Sequence, residues 1–183
     1  KKISLVLSVP KKLVVKNKEK FKFLGNQIEI ILIKSDSLNI IWGKNNALFF
    51  YSKNVDCQKS LKDNFKNWIK NRALEYFNQR VKEISKEHDL SPRAVFLSNA
   101  KTRWGTCNSN SEVRLNWRLI QASPSVIDYV ICHELAHLKF MNHSDQFWAE
   151  VKKLCPKFKG INDTILANIR FDIKNLKLLH EKR

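Results

Sequence analysis

The chain has 183 residues, 43% hydrophobic and 28% charged, which is enough apolar content to bury a core and argues against disorder. Lys and Arg number 34 against 17 Asp and Glu, a formal charge of +17 that suits a polyanion such as nucleic acid. Yet 26 of the 34 are Lys, scattered in runs no longer than two, as AT-rich coding alone would leave them. No uncharged apolar run is long enough to span a bilayer, and no apolar leader opens the chain. Cys57, Cys107, Cys132 and Cys155 form no CxxC pair, so a reducing cytoplasm with no membrane partner is expected.

Residues 1–55 read as short strands. Ile3, Leu5 and Leu7 alternate; Phe21 and Phe23 do so before a Gly25-Asn26 turn; Ile28, Ile30 and Leu32 follow. Leu38, Ile40 and Trp42 lead to a turn at Gly43-Lys44-Asn45-Asn46 and a further strand over 47–51. The period then changes. Leu61, Phe65, Trp68, Ile69, Ala73, Tyr76, Phe77, Val81 and Ile84 predict one long amphipathic helix over roughly 60–88.

Three short strands are expected over 93–98, 102–107 and 112–117, the last two joined by a hairpin turn at Asn108-Ser109-Asn110-Ser111. A second helix starts with Ser123 as N-cap and Pro124 at its first position, with Asp128 near its start, and runs to about Phe140. Asn142-His143-Ser144-Asp145 breaks it and caps a third helix that Pro156 stops. Beyond Gly160, Ile165, Leu166, Ile169, Ile173, Leu176 and Leu179 predict a last helix. The order is that of an α+β protein.

The chemistry lies in His133-Glu134-Leu135-Ala136-His137. A spacing of four stacks the two His on one face of a helix, where they can share a tetrahedral zinc with Glu134 beside it as general base. With 5 His in 183 residues, chance supplies HExxH about 0.007 times, which favours the metal reading. On a helical projection Ile127, Ile131, Leu135 and Leu138 make the helix apolar nearly all round, so buried His and Glu would be expensive without a metal.

A catalytic zinc takes a third protein ligand and leaves a position open for water. His143 is the first choice, if Asn142 adopts a left-handed turn that brings the chain back; Glu150 on the third helix is the rival. For the oxyanion donor and substrate contacts, Arg103, Asn116 and Arg118 are expected.

Several segments together resemble the YgjP-like metal-dependent hydrolases, relatives of SprT-type zincin domains. They are Lys101-Thr102-Arg103-Trp104-Gly105-Thr106-Cys107, Leu115-Asn116-Trp117-Arg118-Leu119-Ile120, Val126 to Val130, HExxH itself, Asn142-His143-Ser144 and Phe147-Trp148. Thr106 stands where Ser is commoner. The similarity covers roughly residues 60–175 strongly and the β-rich start loosely. With the alternation of the first strands, a small antiparallel β-rich region (1–58) is expected before a minimal zincin-like core (59–183). That core would hold a long helix, a short antiparallel sheet, the HExxH helix and two C-terminal helices.

The resemblance implies Zn2+ held by His133, His137 and His143, with Glu134 catalytic. It also implies that the strand near Val113 to Asn116 binds an extended peptide by strand addition. A cytoplasmic zinc-dependent metallopeptidase is therefore the first expectation. The second is a nucleoside triphosphate pyrophosphatase in which Lys101, Arg103 and Arg118 clamp phosphates. The third is a nucleic-acid-binding protein with a structural zinc and a basic surface.

Overall fold

The computed structural model describes residues 16–43, 47–53, 57–100 and 102–156. The strand expected over 3–7, the turn residues 44–46, Lys101 and the helix expected beyond Gly160 lie outside them. Within them the chain runs β1 (Lys20–Phe23), β2 (Asn26–Lys34), β3 (Asn39–Trp42), β4 (Ala47–Ser52), α1 (Gln58–Glu87), β5 (Ala94–Ser98), β6 (Gly105–Cys107) and β7 (Glu112–Asn116). A 3-10 helix (Trp117–Gln121), α2 (Pro124–Ala136) and α3 (Asp145–Leu154) follow. This is the expected α+β order. None of the described helices is long and apolar enough to cross a membrane.

The first sheet has the strand order β1-β2-β4-β3. Its β1–β2 and β3–β4 pairs are antiparallel, but β2 and β4 run parallel, with Ile30 opposite Leu48 and Leu32 opposite Phe50. Alternation along each strand marks which face is apolar and says nothing about neighbour or direction, so the parallel pair could not be read from it. The β1–β2 turn lies one residue earlier than expected. Leu24 (φ 49°) and Gly25 (φ 79°) are its two central residues, both left-handed, which is the type I′ geometry that matches strand twist.

That turn is anchored to the rest of the protein. Leu24 N–H donates to the Ile120 carbonyl (2.7 Å) and Gly25 N–H to the Gln121 carbonyl (3.3 Å). A Cβ at Gly25 would lie 3.1 Å from Cα of Ser123, so glycine is needed for the approach as well as for φ. Phe21 meets Phe65 of α1 edge to face at 5.0 Å, which places the first sheet and α1 in one continuous apolar core.

The α1 stripe is the one its period foretold: Leu61, Phe65, Ile69, Ala73, Phe77, Val81 and Ile84 are buried, and Trp68 and Tyr76 flank them half-buried. The second sheet has the order β5-β7-β6, β5 parallel and β6 antiparallel to β7. Its hairpin is fastened by Asn108 Oδ1, which accepts from Asn110 N–H (3.1 Å) and Glu112 N–H (3.0 Å). Val113 and Leu115 point into the core, while Arg114 covers the Phe96 ring on the outer face at 4.7 Å.

Helix α2 is the central element. Ser123 occupies its N-cap, but the hydroxyl bonds Ser125 (3.0 Å) and makes no cap; Pro124 stands in the first turn as expected. Ser144 does cap α3, accepting from Phe147 N–H at 3.4 Å. Asp128 serves a purpose its position near the helix start did not show. Arg80 of α1 grips it in a fork, Nε–Oδ1 2.8 Å and Nη2–Oδ2 2.9 Å, and Arg80 is held in turn by Glu83. Bidentate charge-assisted pairs of this kind fix orientation as well as adding energy.

Asp128→Asn, which breaks the α1–α2 fork at a quarter-exposed site, is expected to cost about 1 kcal/mol in urea denaturation. Asp36→Asn, at a carboxylate 97% exposed beside Lys53, should leave the midpoint unchanged.

Candidate active site

Ten of the thirteen α2 residues are buried, among them His133 and Glu134. The helix ends at Ala136. Leu138 N–H bonds the Leu135 carbonyl, and Lys139 and Phe140 N–H bond that of Ala136, forming a tight turn that sends the chain back. Asn142 is not left-handed: no residue between Ala136 and Asp145 has positive φ. The turn after the helix reverses the chain without any residue of positive φ.

This return brings three imidazoles together. His133, His137 and His143 centroids stand 5.2, 5.1 and 4.9 Å apart, a near-equilateral triangle, and one ring nitrogen of each lies within 4.8 Å of the others. His137 Nδ1 is 3.0 Å from the Phe140 carbonyl, so as N–H it donates there and leaves Nε2 free. His133 Nε2 and His143 Nε2 face each other at 3.2 Å. Two imidazoles on one tetrahedral ion with bonds of about 2.0–2.1 Å place their nitrogens about 3.3 Å apart, so the pair fits a shared metal. Glu150, the rival ligand, is engaged elsewhere, its Oε1 2.7 Å from Lys139 Nζ.

Exposure across the triad is graded: His133 buried, His137 half-buried, His143 exposed. Phe147 of α3, fully buried, backs all three rings at 5.0, 4.6 and 4.7 Å. Trp148 flanks His133 and His143 at 5.8 Å. This aromatic backing is what the Phe147-Trp148 pair does, a role its spacing alone did not reveal.

Burial sets the protonation. It drives His133 down to about 3, helped by the charge of its His neighbours, and lowers His143 as well. Both rings are therefore neutral and able to ligate near pH 7. Burial alone pushes Glu134 up to about 8 in the metal-free protein.

Glu134 packs against Gly105 on β6. Cys107, two residues along β6, has its thiol pushed up to about 11 by burial and then by the Glu134 charge.

The other expected contacts divide. Asn116 is fully buried and both hydrogens of its amide are committed, to the Ala100 carbonyl (2.8 Å) and the Arg103 carbonyl (3.2 Å). Its Oδ1 accepts from Arg118 N–H at 3.1 Å. Arg118 is buried over the Trp117 ring (4.5 Å) and donates to Asn99 Oδ1 (2.8 Å). These two residues fasten the β5–β6 loop, so the phosphate clamp of Lys101, Arg103 and Arg118 is not assembled among the described residues. Arg103 is exposed two residues before Gly105. Strand addition at Val113–Asn116 is corrected too: β7 is the middle strand, paired on both sides, and the edge strand beside α2 is β6.

An HExxH helix against a small mixed sheet, with a third His returning from the following loop, brings together three ligands that could hold one metal ion. The chain belongs to the YgjP-like family, whose metallopeptidase-domain model matches residues 2–167. Among curated proteins none matches in sequence. Of solved structures, the chain is similar to the metallopeptidase zymogen abylysin of Pyrococcus abyssi, with 23% identity, a TM-score of 0.43, and coverage of 50% of this chain and 93% of that one. It is also similar to the zymogen of Methanocaldococcus jannaschii jannalysin, with 20% identity, a TM-score of 0.42, and coverage of 53% and 92%.

The two shifted groups act oppositely on the metal-free protein. Between pH 4.5 and 8 folded Glu134 keeps a proton that the unfolded chain has released, so stability falls as pH rises. Between pH 6.5 and 3 folded His133 refuses a proton that the unfolded chain takes, so stability falls as pH drops. In chelator-treated protein Glu134→Gln should remove the alkaline loss, at most about 1.4 kcal/mol per pH unit, and be more stable than wild type at pH 8. Thermal denaturation from pH 5 to 8 measures this.

Proposed function

We propose that the chain is a zinc-dependent metallopeptidase that cleaves peptide bonds with Glu134 as general base and then general acid. The observation that carries this reading is the convergence of three imidazoles at the end of a helix that also carries a buried carboxyl, Glu134. The donor set is all nitrogen, which suits zinc. His133, His137 and His143 would hold the ion, and the exposed side at His143 leaves room for substrate. When bound, zinc supplies a Lewis acid that polarises the scissile carbonyl and acidifies water.

The remaining steps belong to the protein. A cation beside Glu134 favours its ionised form, which lets a carboxylate oxygen accept a proton from the attacking water and return it to the leaving nitrogen. Phe147 and the Phe140 carbonyl fix the rings so that little reorganisation accompanies the reaction. The backbone of edge strand β6 can pair with an extended peptide and set its carbonyl over the site. Arg103, exposed at the start of that edge, is the side chain best placed to contact substrate. The four cysteines of the described residues stand as thiols and not as disulfides, which suits a reducing compartment, the cytoplasm.

Zinc-loaded protein should release peptides from casein, and Glu134→Gln should slow this by roughly 10²–10⁴-fold while still binding zinc. Phosphate release from nucleoside triphosphates with no peptide release would assign the site to nucleotide hydrolysis instead. A separate measurement tests the ligand set: His143→Ala should lower zinc occupancy at limiting metal, and Glu150→Ala should not. The reverse pattern would make Glu150 the third ligand.

A further inference from the structure

We infer that Gly105 is a positioning residue: by presenting no side chain where β6 meets α2, it gives the Glu134 carboxylate its seat against that strand. This rests on the reading of Glu134 as the proton-transfer group. A Cβ placed on Gly105 would lie 2.5 Å from Glu134 Oε1, 2.6 Å from its Cγ and 2.7 Å from its Cδ. Unbonded carbons rest at about 3.5–4.0 Å, so every one of these contacts is an overlap. Because Cγ is among them, turning the carboxylate about its terminal bond gives no relief. The whole side chain would have to leave its place.

The backbone does not ask for glycine. Gly105 lies in a strand and, unlike Gly25, not in the left-handed region. Glycine in a strand interior costs stability and marks a close approach, and here the approaching group is Glu134. The neighbours agree. Gly105 pairs with Leu115 and Cys107 with Val113, and paired residues share a face. Leu115 and Val113 are fully buried, so this face looks inward. Nor can the helix lift away to make room, since Leu115 on the sheet and Ile131 and Leu135 on α2 are fully buried in the same core, which resists dilation.

The test is Gly105→Ala in the full chain. The variant should fold, bind one zinc and keep KM within about threefold, while kcat falls on the order of 10²-fold, the effect of misplacing a reacting group by about 1 Å. Its crystal structure should show Glu134 turned away from β6. Glu134→Ala, which removes all three atoms the new Cβ would meet, should be slow by itself. Adding Gly105→Ala to it should slow it by less than about threefold more, because the clash is gone.

Wild-type kcat in Gly105→Ala, an unmoved Glu134 in its crystal structure, or losses that simply multiply would overturn the inference. If Gly105→Ala does not fold, Gly105→Ala/Glu134→Ala must, since the obstructing side chain is gone; failure of both sinks it. A wild-type protein that cleaves no peptide removes the functional reading alone, and the crystal structure of Gly105→Ala still decides the seat of Glu134.

Discussion

Two imidazoles and a carboxyl sit on the helix that water reaches least. Ile127, Ile131, Leu135 and Ala136 of α2 are fully buried, and His133 and Glu134 are exposed by only 9% and 6%. Removing such groups from water is costly, and the protein reduces that cost by keeping them uncharged: the ring is held neutral and the carboxyl holds its proton. Both states are primed for a cation. A metal gains neutral donors without displacing protons from His133, and its charge offsets the burial of an ionised Glu134. Buried His133 Nδ1 has no hydrogen-bond partner among the described residues, so the environment that keeps this ring neutral does not solvate it.

Around this helix the other elements act as restraints. The Arg80–Asp128 fork sets α2 against α1. Phe147 closes the site from α3. Asn116, Asn99 and Arg118 hold the loop that delivers Gly105, and the β1–β2 turn bonds the 3-10 helix just before α2 begins. A catalytic group must be held within a fraction of an ångström by neighbours that are themselves fixed. Here those neighbours come from every part of the described chain.

Much of this was legible in the sequence. The i,i+4 run of α1, the HExxH spacing and the hairpin at Asn108–Ser111 follow from local periodicity and side-chain chemistry, and His143 was singled out by its distance from HExxH. What was hidden depended on partners far along the chain. The parallel pairing of β2 with β4 needs knowledge of strand order. Glu150 looked like a ligand until Lys139 claimed it, and Asn116 like a donor until two carbonyls took its amide. Asn142 was credited with a reversal that the turn after Ala136 performs. The residue most easily overlooked was Gly105, because a missing side chain leaves no chemical signature, only an interruption in a strand.

The gradient of exposure across the triad carries a kinetic meaning. His133 and His137 belong to a helix and its cap, whereas His143 belongs to a solvent-facing loop. In a metal-loaded protein His143 would be the ligand whose hold depends on that loop keeping its place, while the other two would be set by the helix. Exchange of the ion would then be tied to how firmly the short stretch around residue 143 is held.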